Sequence, residues 1–164
     1  MFREMRRFKQ QLPEDECIRI LEKQNAGVLA LSGDDGYPYA VPVSYAYQDG
    51  KIYFHGAGSG HKIDSIARNN KVSFCVIDMN QVVLPEFTTY FRSVIVFGKI
   101  RILTDESERR AALEKIAVKF GPDDEQARRK EIEKTIGIVC LLELTVEHMT
   151  GKAAKELIRT NTHA

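Results

Sequence analysis

Residues 37–62 read YPYAVPVSYAYQDGKIYFHGAGSGHK, and the fold turns on how this run is divided. Residues 37–47 mix aromatic, apolar and small side chains as an extended segment does, and they stop at Asp49-Gly50, a pair suited to a tight hairpin turn. Ile52, Tyr53, Phe54 and His55 resume the extended pattern. Pro38 and Pro42 lie inside the first of these segments, where each removes a backbone donor, so the strand belongs at an edge or a bulge. Something other than a regular neighbouring strand must lie beside Pro42. The glycine-spaced GAGSGHK that follows brings backbone N–H groups, a helix start and the cation of Lys62 together, which suits an anion. An apolar hairpin edge next to such a turn fits a flat ring that carries a phosphate.

Upstream, Val28-Leu29-Ala30-Leu31 is an apolar run closed by the turn Gly33-Asp34-Asp35-Gly36, which completes a three-strand meander. Before it, Pro13 with Glu14, Asp15 and Glu16 suits the first turn of a short helix whose apolar face is Cys17, Ile20 and Leu21. Downstream, Ile63, Ile66 and Ala67 keep a helical period from His61 to Arg68, closed by Asn69-Asn70. Val72, Phe74 and Val76 then alternate as a strand, and a loop through Pro85 leads to the longest β-rich run, over 88–103. Gly98 within it marks a bend or bulge. Helices over 105–120 and 122–134, parted by Gly121-Pro122, precede a last strand over 138–146 and a short helix from about Gly151. The pattern predicts a mainly β chain: about six antiparallel strands in a small closed Greek-key barrel with flanking helices. We read one domain over 1–164, with a basic tail over 1–12 and a helical insertion over 105–134 before the last strand.

Composition narrows the partners. Lys and Arg number 24 against 23 Asp and Glu, so bulk charge does not ask for nucleic acid. Cys17, Cys75 and Cys140 are odd in number and widely spaced, with no CxxC pair, so neither a disulfide framework nor a metal site is expected. The N-terminus lacks the apolar run of a signal peptide and no segment is apolar enough to span a bilayer, so the expectation is a cytoplasmic chain without membrane contact. No GxSxG motif is present, and the glycine-spaced loop misses the dinucleotide pattern GxGxxG in either register, with His61 or Ile63 where the third glycine would stand.

PYAVPVSY, IYFHGAGSGHK and TTYFRSVIVFGK, in that order and spacing, resemble the pyridoxamine-5′-phosphate-oxidase-like FMN-binding split barrels, nearest the nitroimidazole-resistance (Nim) or nitroimidazole-reductase branch. The resemblance runs from Arg6-Arg7 to Thr150-Gly151-Lys152. It implies a six-stranded antiparallel Greek-key split barrel that forms a homodimer. It also implies FMN as cofactor, held on Val41, Pro42, Val43 and Ser44 beside the flavin ring, and on Phe54 and His55 at the neighbouring strand edge. Gly60, His61 and Lys62 match the phosphate turn, with Lys62 its principal cation. A phosphate monoester carries close to two charges, so a second cation is expected. Arg92 in the run Tyr90-Phe91-Arg92-Ser93-Val94 is the candidate, with Ser93 as a hydroxyl donor and the strand framing a site at the dimer interface.

Each of these residues also has a plain structural reading. Lys62 could be a surface cation at a helix start, His55 a cap on neighbouring backbone, and Arg92 an outward charge, since Phe91 and Val94 leave its side of the strand open. The resemblance implies an FMN-dependent oxidoreductase that passes electrons from NAD(P)H to nitroaromatic or similar small-molecule acceptors. The flavin would carry the chemistry, so no side chain is assigned as catalytic. A non-catalytic flavin carrier or redox sensor, or a split barrel for haem or deazaflavin, are the alternatives.

Overall fold

A computed structural model describes residues 1–159. In chain order the elements are β1 (Gln11–Leu12), α1 (Glu14–Lys23), β2 (Ala26–Ser32), β3 (Pro38–Ser44), β4 (Ala46–Gln48), β5 (Lys51–Gly56), α2 (His61–Arg68), β6 (Lys71–Val83), β7 (Thr88–Ile102), α3 (Glu106–Phe120), α4 (Glu125–Thr135), β8 (Cys140–Ala153) and α5 (Lys155–Arg159). The strands pair antiparallel in the order β3-β2-β6-β7-β8-β5-β4, with β1 beside β8. Six strands are long; β1 and β4 have two and three residues.

The extended segment expected over 37–47 is two strands. β3 pairs with β2, while β4 pairs with β5, and the buried Tyr45 joins them. The two ends of the hydrogen-bonded path are therefore adjacent in sequence, and the sheet must curl to bring them together. β3 and β5 approach each other there without forming a ladder. This corrects the expectation of a closed barrel: the sheet curls but stays split between β3 and β5. It also corrects the meander, because β5 pairs with β8 and β4 rather than with β3.

The curl is filled from inside. Val72, Phe74 and Val76 of β6 face Val94, Val96 and Ile100 of β7, with Leu29, Leu31, Ile52, Phe54, Leu142 and Leu144, all buried. Phe74 takes Tyr45 and Phe54 edge-on, at centroid distances of 4.9 and 5.3 Å, a favoured arrangement for aromatic pairs. Alternation sends Tyr53 and Leu141 outward, where Ala112, Leu113 and Ile116 of α3 and Ile132 of α4 bury them in a second cluster. Glu143 ties α3 to the sheet, accepting from Lys51 at 3.0 Å and from Arg101 at 3.0 Å, while Arg101 grips Glu108 on α3 at 2.7 and 2.9 Å.

Several boundaries differ from the expectation. β8 continues to Ala153, because its outer half pairs with β7 and takes in Thr150-Gly151-Lys152, so α5 starts at Lys155 rather than near Gly151. The basic N-terminal segment is not wholly a tail: Phe8–Gln10 forms a 3-10 turn and β1 joins β8. Pro13 precedes α1 as its N-cap. No helix among the described residues is long and apolar enough to cross a membrane.

Gly98 lies at a register shift, where Phe97 opposes His148 and Gly98 opposes Val146, leaving Glu147 bulged. A Cβ at Gly98 would run into the Thr145 carbonyl and the Leu144 side chain. Gly98→Ala should therefore lower stability by about 1–3 kcal/mol, read as a reduced urea midpoint; an unchanged midpoint would show that the β7–β8 ladder shifts freely here.

Candidate functional site

The split leaves β3 as the terminal strand, with backbone groups on its outer edge not claimed by a ladder. Alternation along β3 turns Tyr39, Val41 and Val43 toward the core and leaves Pro38, Ala40, Pro42 and Ser44 exposed. The edge beside the split is thus small and nearly flat on its outer face, which a proline tolerates because no further strand needs its donor. Across the split, Phe54 is buried in the core and His55 is exposed. Of the sequence-selected residues, Pro42, Ser44 and His55 present side chains outward; Val41, Val43 and Phe54 support the wall from within.

Beyond His55 the chain runs through Gly56-Ala57-Gly58-Ser59-Gly60 into α2. Gly60 has φ +107°, a conformation that L side chains rarely adopt, and its carbonyl accepts from Ile63 and Asp64 at 2.8 and 3.1 Å to start the helix. The first N–H groups of a helix lack intrahelical partners and present a partial positive charge. Lys62 Nζ lies back over Gly56, so close that a Cβ at Gly56 would be 3.1 Å from it. His61 stacks on Tyr39, with centroids 4.0 Å apart and rings 14° from parallel, and its Nε2 lies 3.5 Å from Asp34. Asp34 also takes Arg68 at 2.6 Å. The start of α2 is thus fastened to β3 across the split by an aromatic stack and a carboxylate, while Lys62 keeps its ammonium over the glycine loop. Gly60, His61 and Lys62 come together as the sequence suggests; Asp34 and Tyr39 as their anchors were not anticipated.

Tyr90, Arg92, Ser93 and Val94 lie elsewhere. Arg92 opposes Ala153 at one end of β8, whereas Gly56, under Lys62, opposes Cys140 at the other, the two ends of a 14-residue strand roughly 40 Å long. Within one chain, then, Arg92 and Lys62 do not share a site. Arg92 has its own carboxylate instead: its Nε donates to Asp78 Oδ2 at 2.5 Å. Asp78 is the bulged residue of β6, between Ile77, which opposes Ser93, and Met79, which opposes Arg92. On the inward face that it shares with Phe74 and Val76, its side chain is 1% exposed, and there Gln24 donates at 2.6 Å and Lys23 stands at 3.7 Å. Burial alone would raise the Asp78 pKa, but the hydrogen bonds from Gln24 and Arg92 and the charges of Arg92 and Lys23 outweigh it and hold it low. Tyr90 donates to Glu86 at 2.8 Å, Ser93 is half-buried, and Val94 is fully buried in the core.

The outer face of β3, β2, β6 and β7 carries an apolar row in register: Pro42, Val28, Cys75 and Ile95 oppose one another in turn. Val28 and Ile95 are 37% and 41% exposed, and Ile77 and Phe97 beside them 60% and 38%. A contiguous apolar face of this kind is a candidate association surface. Among the described residues no cluster of His, Cys, Asp or Glu is placed to hold a metal ion.

The chain matches the family model for pyridoxamine 5′-phosphate oxidase over residues 13–153. Similar solved structures include a candidate 5-nitroimidazole antibiotic resistance protein from Bacteroides thetaiotaomicron VPI-5482, with 24% identity, TM-score 0.74, and 87% of this chain covered against 86% of that one. An FAD-binding protein from Mesorhizobium loti has 27% identity and TM-score 0.62, covering 88% of this chain and 96% of that one. A flavocytochrome from Azotobacter vinelandii has 17% identity and TM-score 0.77, covering 92% and 72%. Curated proteins gave no significant sequence match.

The Asp78 cluster sets a pH dependence. A carboxylate with a depressed folded pKa adds stability above its unfolded value, near 3.9, and that stability is lost as pH falls through the lower folded value. Asp78→Asn should flatten the loss of stability below about pH 4. Urea midpoints from pH 2 to 7 test it, and parallel curves for variant and parent would show that Asp78 is not held low.

Proposed function

The chain belongs to the pyridoxamine 5′-phosphate oxidase family, and on that premise we propose that it is an FMN-dependent oxidoreductase acting as a homodimer. The observation that carries the reading is the open edge of β3 beside the His55 edge of β5, ending on a glycine loop under Lys62. The residues fit the group. Pro42 and Ser44 give a shallow wall for a flat ring, His55 borders it, and Gly60, His61 and Lys62 offer amides and charge for one phosphate monoester. A side chain at Gly56 would crowd the ammonium of Lys62, so the loop keeps room for an anion only while it is glycine.

When bound, FMN would take an electron pair from NAD(P)H and deliver electrons to a nitroaromatic or similar small acceptor. The chain's own part is to bind, orient and shield. Val41, Val43 and Phe54 support the wall, because they pack against the buried core. Arg92, Ser93 and Tyr90 enter the reading only through a second copy, since in their own chain they sit at the far end of β7. The apolar row Pro42, Val28, Cys75 and Ile95 supports such a pairing, and a twofold contact would yield equivalent sites. The relatives described above as binding FAD, or as linked to nitroimidazole resistance, support a flavin and an acceptor of this class. A cytoplasmic setting with reduced thiols completes the reading.

Protein purified without added cofactor should show the two-band spectrum of an oxidised flavin and release FMN on heating, and NADPH followed by a nitro compound should bleach and restore it. A colourless protein that takes up no FMN would overturn the reading; a flavin unreactive to both reagents would make it a carrier. Lys62→Ala should weaken FMN binding about ten- to a hundredfold with the fold intact, the worth of one charge-assisted hydrogen bond. Ile95→Lys should yield monomers by sedimentation and retain less FMN; a dimer that persists would place the interface elsewhere.

A further inference from the structure

A cleft of about 450 Å³ lies apart from the β3–β5 edge, lined by Arg6, Arg7, Phe8, Lys9, Gln10, Lys155 and Ile158. Such a volume suits one small ligand. The turn Phe8–Gln10 and the pairing of Gln11 with Lys152 fix this segment against the outer end of β8, so the cations are held rather than trailing. Among the described residues Arg6, Arg7 and Lys9 have no carboxylate within ion-pair distance, while Lys155 lies 3.6 Å from Glu156. Three cations without a carboxylate partner among the described residues, around one cleft, favour an anion with more than one charge.

Two further features restrict its kind. Phe8 is 68% exposed on the cleft wall, a large ring with no aromatic or cationic partner among the described residues. Gln10 Oε1 has no hydrogen-bond partner among the described residues, so a turn of this amide toward the cleft lets it accept from a ligand hydroxyl, which a bare phosphate dianion cannot supply. A ring to stack on, an acceptor for a hydroxyl and a group of cations match a base, a ribose and phosphates in turn. The geometry points to a second ligand site, distinct from the proposed flavin edge, for a phosphorylated nucleoside: base on Phe8, ribose hydroxyl on Gln10, phosphates on Arg6, Arg7 and Lys9.

The test is calorimetric titration of the full chain, with and without added FMN, using adenosine 2′,5′-bisphosphate and, separately, inorganic pyrophosphate. The bisphosphate should bind in both states, at least about tenfold more tightly than pyrophosphate. Arg6→Ala/Arg7→Ala should weaken both probes by tenfold or more, and Phe8→Ala the bisphosphate alone; far-ultraviolet dichroism checks the fold of each variant. No binding, equal affinity for the two probes, or indifference to Phe8→Ala would overturn the assignment. FMN content, read from the visible spectrum of the same samples, reports the flavin site independently.

Discussion

The fold depends on a sheet that must meet itself without hydrogen bonds. Its two terminal strands are consecutive in sequence, joined at Tyr45, so the curl is obligatory once β3 pairs with β2 and β4 with β5. What holds the ends together is side-chain packing: Tyr45 and Phe54 both lean on Phe74, and no backbone ladder bridges β3 and β5. Closing that gap with a ladder would consume the edge groups of β3. Leaving it open keeps them, at the cost of an exposed strand edge that two prolines protect from adventitious pairing. The candidate site is therefore a consequence of how the barrel fails to close.

Two bulges interrupt the long ladders. Glu147 in β8 lets the ladder bend around Gly98, and Asp78 in β6 sets Met79 rather than Asp78 opposite Arg92. Alternation puts Asp78 on the inward face with Phe74 and Val76, where Arg92 and Gln24 share it as acceptor. The result is a pin between α1, β6 and β7, which fixes the base of the long β6–β7 hairpin. Beyond that base the hairpin pairs, among the described residues, only with itself, from Gln81 opposite Tyr90 to Val83 opposite Thr88, and its Val82, Leu84 and Phe87 stand 65%, 78% and 99% exposed.

Much of this was legible in the chain. The turn at Asp49-Gly50, the helix over His61–Arg68, the bend at Gly98 and the edge character of the proline strand follow from local chemistry, and each stands where the residues place it. The break at Tyr45 was not legible, because an extended backbone continues through it and only the choice of partner strands changes. Nor was the true end of β8, whose outer half is a strand because β7 is long enough to pair with it. Among the candidate site residues, Gly60, His61 and Lys62 are contiguous, so their grouping needed no tertiary information. Arg92 was different: its role depends on Asp78, fourteen residues away, and although alternation in VIDMN puts Asp78 on the inward face with Val76, nothing local says that Arg92 meets it there.

The separation of Lys62 from Arg92 constrains what a single chain can do. At the α2 start Asp34 already takes both His61 and Arg68. Under the proposed reading one chain thus offers a phosphate the Lys62 ammonium together with helix amides, enough to orient a monoester but short of balancing two negative charges. In the proposed reading the second charge comes from Arg92 of a second copy, and the same sheet carries an apolar row that a monomer would leave in water. The proposed twofold pairing over Pro42, Val28, Cys75 and Ile95 would answer both demands. In that arrangement the Asp78 pin serves the site indirectly. An arginine held by one carboxylate through Nε keeps its outer guanidinium nitrogens in a fixed direction, so it can meet a partner's anion at little further cost in side-chain entropy.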